Sequence, residues 1–167
     1  MTSCQIENFL MTKLLWRFKC FLSERGSDVI DEWHEKISKK GRAKLLRTME
    51  HLVAQPLSEW ARPYASPLRD HIYVIRFTDE NRTQHRVIGH FHADTLYFIL
   101  TQPAIEKDDV YLPNDYLERA ARNKQSCNDD YNGRTRICFN LASHRAEDNR
   151  LQCVPQPCYD ITKACLP

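Results

Sequence analysis

WARPYASPLRDHIYVIRFTDENRTQHRVIGHFH, residues 60–92, is the stretch that decides the fold. It predicts a loop, a strand, a turn at residues 79–81 and a second strand, because apolar residues alternate with other types on both sides of the turn. Side chains of a strand alternate between its two faces, so Arg76 and Arg86 are expected on the same face of the hairpin. Burying an unpaired charge is costly. We therefore expect this face to meet water or a polyanion.

The residues before this hairpin predict one strand and two helices. Residues 14–22 partly alternate between apolar and basic side chains, which is typical of a strand. Ser27 is the predicted cap of a first helix, which carries apolar residues at helical spacing and ends at Gly41. A second apolar stripe covers residues 45–53 and stops before Pro56. The two helices are expected to form an αα-hairpin.

The residues after the hairpin complete the predicted fold. Residues 95–101 are apolar on both faces, as expected of a central strand. Pro113 opens a short final helix that ends near Lys124. The predicted order is β-α-α-β-β-β-α, an α+β fold in which the helical hairpin covers the apolar face of a small, mainly antiparallel sheet. The face that bears the arginines is expected to stay open.

Composition divides the chain into three predicted parts. Residues 1–13 form an N-terminal extension, residues 14–124 the domain, and residues 125–167 a cysteine-rich, poorly ordered tail. The odd number of cysteines in the tail and the lack of an export signal predict reduced thiols in a cytoplasmic protein. Their spacing fits no usual zinc finger. Five of the seven cysteines lie in the tail: Cys127, Cys138, Cys153, Cys158 and Cys165.

Length and charge narrow the classes of protein that the chain can represent. Its 167 residues are enough for one ordinary domain with a proper core. The formal net charge of +2 is too small to predict nucleic-acid binding without a local basic patch. Charged residues interrupt the apolar runs near the N-terminus, so no membrane span is expected there.

Four short motifs follow one another in a fixed order between residues 14 and 124. They are WxRP at residues 60–63, LxxxxYxxRF at 68–77, HRVIGHF at 85–91 and PxxxLxxA at 113–120. Together with the helical hairpin, this ordered set resembles the RelE/ParE superfamily of type II toxins, and within it the HigB-like, phage-associated branch. None of the motifs is specific alone, so the order and the spacing carry the resemblance.

The resemblance implies a ribosome-dependent mRNA endoribonuclease that inhibits translation and is restrained by a small helix-turn-helix antitoxin. Cleavage by attack of a ribose 2′-OH on phosphate needs proton transfer and cations near the phosphate. The candidate catalytic residues are Arg86, Arg76, Lys107 and Tyr111. The candidate RNA-binding residues are Arg62, Arg69, His90, His92, Arg122 and Lys124. No cofactor or metal is expected, and the implied partners are the antitoxin, the ribosome and mRNA.

The chain departs from the family around Lys107, which lies among Glu106, Asp108 and Asp109 where the family has several basic residues. These carboxylates are expected to offset the attraction of the lysine for phosphate. Two alternatives therefore stay open. One is a ParE-like inhibitor of DNA gyrase, and the other is a decayed, non-catalytic interaction protein of phage origin.

Overall fold

The computed structural model describes residues 14–139, and these form four α-helices and one mixed sheet of seven strands. The strands are β1 (Arg17–Phe21), β2 (Ala65–Pro67), β3 (Ile72–Thr78), β4 (Gln84–Phe91), β5 (Tyr97–Lys107), β6 (Val110–Leu112) and β7 (Thr135–Ile137). The helices are α1 (Val29–Lys36), α2 (Lys39–Val53), α3 (Tyr116–Asp129) and α4 (Tyr131–Arg134), with a 3₁₀ turn at Leu57–Glu59. None of these described helices is long and apolar enough to cross a membrane.

The sheet has the strand order β2-β3-β4-β5-β1-β7, and β6 pairs with β5 beside this path. Among the described strands, β1 and β5 are parallel neighbours and every other pair is antiparallel. The predicted α+β class is therefore confirmed. The central place predicted for residues 95–101 is confirmed as well, because β5 lies between β4 and β1. The sheet has more strands than predicted, since β2, β6 and β7 were not expected.

The αα-hairpin of α1 and α2 packs on one face of the sheet, as the sequence predicted. Trp60 is buried beneath it, and its indole N–H donates to the carbonyl oxygen of Leu52 over 3.1 Å. Complete burial of one large apolar side chain contributes about 1.5–3 kcal/mol relative to leaving it exposed. The apolar core on this face of the sheet also includes Phe18, Ile30, Leu45, Met49, Leu52, Val53, Ile75, Phe77, Val87, Phe98 and Leu100.

The two helices begin and end at other residues than predicted. Asp28, and not Ser27, caps α1, because its carboxylate accepts a hydrogen bond of 2.9 Å from an N–H in the first turn. Gly41 does not end the first helix but lies in the first turn of α2, where its N–H donates to Ser38 Oγ over 3.0 Å. The break falls at Ile37 and Ser38, whose backbones are extended. The apolar spacing runs nearly without interruption across this break and therefore hides it.

The second face of the sheet was predicted to be open, and this prediction is wrong because α3 covers it. Val74 and Ile88 pack there against Ala120 in a second apolar cluster. The helix predicted to end near Lys124 continues to Asp129. Alanine is a weak apolar signal, so the sequence does not reveal that this side of α3 packs on the sheet. The arginines predicted on this face consequently lie beside a covered surface.

The folded part of the chain continues past residue 125, where a domain boundary was predicted. Position 125 lies inside α3, and the chain then adds α4 and β7, which pairs with β1. Cys20 of β1 and Cys138 form a disulfide, so the expectation of reduced thiols is wrong for Cys138. The predictions for residues 1–13 and for the tail from residue 140 onward, with Cys153, Cys158 and Cys165, lie outside the described residues.

Gly89 lies where the register of β4 on β5 shifts, and no side chain fits there. A Cβ at Gly89 would lie 2.6 Å from a ring carbon of Phe98 and closer still to the carbonyl oxygen of Ile99. The backbone of β5 would have to move to accept it. We expect Gly89→Ala to lower the free energy of unfolding by about 1–3 kcal/mol, measured by urea unfolding. Ser58→Ala in the exposed 3₁₀ turn is the control, and equal stability of the two variants would contradict the close approach.

Candidate functional site

Arg76 of β3 and Arg86 of β4 lie directly opposite each other in the register, on the same face, as predicted. Both guanidinium groups converge on one carboxylate oxygen, Oε2 of Glu106 in β5. The distance is 3.2 Å from Arg76 Nη2 and 2.6 Å from Arg86 Nε. The exposed fractions of the side chains are 12% for Arg76, 3% for Arg86 and 11% for Glu106. We call these three residues the arginine–glutamate cluster.

Arg86 has further partners that fix its position. Its Nη1 donates to the carbonyl oxygen of His85 over 2.8 Å, and its Nη2 donates to Oε1 of Gln84 over 2.6 Å. Its guanidinium carbon lies 5.9 Å from the centre of the Tyr111 ring. Most of the hydrogen-bond donors of Arg86 are therefore occupied by the protein itself. A substrate phosphate could bind Arg86 only after one of these acceptors had moved.

Tyr111 reaches the arginine–glutamate cluster from β6. Its hydroxyl oxygen accepts a hydrogen bond of 2.8 Å from Arg76 Nη1. The tight turn between β5 and β6 makes this approach possible, because Asp108 and Asp109 adopt positive φ angles of 50° and 61°. The ring of Tyr111 also packs 4.9 Å from that of Tyr116, and burial raises the pKa of Tyr116. Tyr111 and Arg76, both predicted as catalytic residues, are therefore in contact.

Lys107 is not brought to the cluster. It is exposed at the end of β5, and the alternation of the strand directs its side chain away from the face that Glu106 occupies. The sequence predicted that Glu106 would act mainly by offsetting the attraction of Lys107 for phosphate. In the structure its carboxylate instead neutralises part of the charge of Arg76 and Arg86. Strand alternation was the available signal for this, because Arg86, Ala104 and Glu106 occupy one face.

His90 was predicted to line an RNA-facing surface, and its burial contradicts this prediction. Only 1% of its surface is exposed, and neither ring nitrogen has a hydrogen-bond partner among the described residues. Burial, with smaller effects of Lys124 and His92, lowers the pKa of His90 from 6.5 to about 3, so the ring is neutral near pH 7. His92 is half-buried, and its ring stacks at 4.1 Å on that of Tyr131. Burial and Lys19 lower its pKa as well.

The remaining predicted RNA-binding residues are dispersed. Arg62, Arg69 and Arg122 are exposed, and Lys124 is partly exposed. Arg69 Nη2 lies 3.1 Å from the Glu118 carboxylate of α3, and Lys124 of α3 donates to the carbonyl oxygen of Asp70 over 2.6 Å. Arg69 and Lys124 therefore connect the loop before β3 to α3. These contacts have a structural role that needs no RNA.

Sequence reasoning missed a row of basic residues on α2. Lys40, Lys44, Arg47 and His51 are all exposed and follow one another at steps of four, three and four residues. This spacing places them on one side of a helix, so the signal was present. It was overlooked because the apolar stripe of the same helix decided the interpretation. We call these four residues the α2 basic row.

The chemistry of the cluster is that of anion binding. Two guanidinium groups and one carboxylate carry a net positive charge, and guanidinium binds the oxygens of carboxylate and phosphate with similar geometry.

Within residues 14–139, no group of three or more His, Cys, Asp or Glu side chains is arranged to hold a metal ion.

Comparison with known proteins gives no assignment, because no protein-family model, curated protein or solved structure matches the chain. The resemblance to the RelE/ParE superfamily therefore depends on the ordered motifs alone.

Proposed function

We propose that this chain is the toxin of a type II toxin–antitoxin system, of the RelE/ParE type, and cleaves mRNA on the translating ribosome. The observation that carries the proposal is the convergence of Arg76 and Arg86 on a single carboxylate oxygen. The same two guanidinium groups would bind a non-bridging oxygen of phosphate in this place. In this proposal the substrate phosphate displaces the carboxylate of Glu106.

The proposed reaction is attack of a ribose 2′-OH on the adjacent phosphorus. The 2′-OH gives up its proton to water as its oxygen bonds to phosphorus, the bond from phosphorus to the 5′-oxygen breaks, and the 5′-oxygen leaves with a proton. The products are a 2′,3′-cyclic phosphate and a free 5′-hydroxyl. Arg76 and Arg86 stabilise the negative charge that develops on the phosphate oxygens. Tyr111, whose hydroxyl is hydrogen-bonded to Arg76, is the proposed proton donor to the leaving oxygen.

The proposed partners are the ribosome, mRNA and a small helix-turn-helix antitoxin, and action on ribosomes requires a cytoplasmic location. The disulfide between Cys20 and Cys138 is a feature more common in oxidising compartments. The proposal therefore includes formation of this bond inside the cell or retention of activity without it.

A specific observation favours a second candidate, a non-catalytic interaction protein. Glu106 already occupies the anion position between the arginines, and only 3% of the Arg86 side chain is exposed. Two buried arginines that share one carboxylate can have a purely structural role, without any part in catalysis. The ParE-like alternative, which inhibits DNA gyrase without cleaving RNA, has a separate readout in supercoiling assays.

Induced expression tests the proposed function. The parent is expected to arrest growth and to cut translated messages, and Arg76→Gln is expected to reduce cleavage about a hundredfold, because one preorganised cation is lost. Tyr111→Phe, which keeps the packing of the ring, is expected to slow cleavage as well. Cleavage is measured in a translating lysate by primer extension.

Arg25→Gln is the matched control, since it removes an exposed arginine in a turn distant in sequence from the cluster. Thermal unfolding of each purified variant shows whether a loss of activity reflects a loss of fold. Supercoiling inhibition without RNA cleavage would replace the proposal with the gyrase alternative. If the protein neither cleaves RNA nor inhibits supercoiling, the non-catalytic interaction protein is the remaining candidate.

A further inference from the structure

A groove of about 410 Å³ lies between α2 and the part of β3 that extends beyond β2. It is on the side of the sheet that carries the αα-hairpin. We call it the α2 groove. Its lining residues are Lys44, Arg47, Thr48, His51, Pro63, Tyr64, Arg76, Phe77 and Thr78.

The α2 groove is basic. Lys44 and Arg47 line it, and none of the lining residues in the described part of the chain carries a carboxylate. Within residues 14–139, neither cation forms an ion pair, which distinguishes them from Arg76 and Arg86. Lys40 extends the same row along α2 toward its first turn. Unpaired cations in a row attract a chain of phosphates, and part of the binding energy comes from release of counterions.

An exposed aromatic ring lies beside these cations. Tyr64 is 40% exposed, and its ring centre lies 4.2 Å from that of His51 at an interplanar angle of 40°. The carbonyl oxygen of Tyr64 accepts a hydrogen bond of 2.8 Å from the backbone N–H of Arg76, which ties this loop to β3. A positioned aromatic face next to a basic track is the combination with which proteins bind single-stranded nucleic acid, because bases stack on the ring.

The groove and the arginine–glutamate cluster meet at one residue. Arg76 lines the groove, while its guanidinium group donates to Tyr111 and Glu106 on the other face of the sheet. β2 begins at Ala65, which pairs with Ile75 of β3, so the β3 backbone beyond Arg76 forms an edge of the sheet. A single-stranded nucleic acid that left the groove around this edge would reach the arginine–glutamate cluster.

We propose that the α2 groove binds a single-stranded segment of RNA, with Lys44 and Arg47 on its phosphates and a base stacked on Tyr64. This proposal rests on the proposed function and deepens it by naming the surface that holds the message beside the cleavage site. Recognition is of backbone and stacking, so it is tolerant of sequence.

Fluorescence anisotropy of a short single-stranded 2′-O-methyl oligoribonucleotide tests the proposal, because this probe cannot be cleaved by 2′-OH attack. The double variant Lys44→Gln/Arg47→Gln is expected to weaken binding and to reduce the dependence of log K on log salt by about 1.4, at about 0.7 for each cation. Tyr64→Ala is expected to weaken binding about tenfold through the lost stack. Lys36→Gln/Lys39→Gln removes the same charge from exposed positions outside the groove and is the matched control.

The outcomes separate this inference from the proposed function. Loss of binding in both groove variants, with binding retained in the control, supports the groove. Equal losses in the groove double variant and the control double variant overturn it, and so does a parent protein that fails to bind the probe. If the groove variants lose binding but the parent cuts no message in the translating lysate, the groove stands and the cleavage proposal fails. If the parent cuts messages and the groove variants bind the probe as the parent does, the cleavage proposal stands and the groove proposal fails.

Discussion

Glu106→Gln is expected to lower the free energy of unfolding by about 3–5 kcal/mol, because it leaves a buried guanidinium without its counter-charge. Arg86 keeps its bonds to Gln84 and to the carbonyl of His85, but both acceptors are neutral. Arg76 keeps only the hydroxyl of Tyr111 among its side-chain partners in the described residues. Urea unfolding followed by circular dichroism measures the change.

Glu118→Gln is the matched control for this prediction. Glu118 also accepts from an arginine, Arg69, at 3.1 Å, but its side chain is 54% exposed. Exposed ion pairs contribute about 0–1 kcal/mol, so the control should lose little stability. A similar small loss in Glu106→Gln would show that water reaches the cluster, and Arg86 would then be accessible to a substrate as well. This experiment therefore also bears on the choice between catalysis and a purely structural arginine pair.

Acid is expected to destabilise the protein through His90 as the pH falls from about 6.5 toward 3. The folded protein keeps His90 neutral down to a pKa of about 3, whereas in the unfolded chain the ring takes up a proton near pH 6.5. Below pH 6.5 the unfolded state therefore binds more protons, and stability falls as the pH falls. Each unit of pH within this window changes the free energy by about 1.4 kcal/mol, so the total loss is on the order of several kcal/mol.

His90→Leu is expected to flatten this dependence, because it removes the group that titrates. Urea unfolding at a series of pH values gives the slope for the parent and for the variant. His51→Leu, which removes an exposed histidine, serves as the comparison, and the difference between the two variants isolates the effect of burial. His34 and His92 also have lowered pKa values, mainly because they are partly buried, so a residual slope of the same sign is expected. Identical slopes for the parent and His90→Leu would overturn the prediction.

The parts of the fold that follow local periodicity could be predicted from the sequence. Alternation located β3 and β4, and helical spacing located α2. The three-residue strands β2, β6 and β7 could not be found in this way, because three residues do not establish a period. β7 is fixed by a partner far away in the chain, since Phe21 pairs with Thr135, whereas β2 and β6 pair with the strands next to them in sequence.

The candidate site was predicted in position but not in environment. The two-residue period placed Arg76 and Arg86 on one face, which the register confirms. Their environment is formed by Tyr111 of the short strand β6 and by Glu106, which is distant from both arginines in sequence. Nearness in sequence instead suggests that Glu106 acts on its neighbour Lys107. Strand alternation separates these two side chains and joins Glu106 to the arginines.

The parallel pairing of β1 with β5 affects the order in which the domain can be completed during synthesis. Arg17 pairs with Tyr97 and Cys20 with Leu100, so β1 has no partner strand until most of the domain has left the ribosome. At ordinary rates of translation this delay is on the order of ten seconds. Meanwhile Phe18 can pack only against residues made before β5, such as Trp60. The first of the described strands to be made is therefore one of the last to enter the sheet, and the nascent chain carries an unfinished core until β5 emerges.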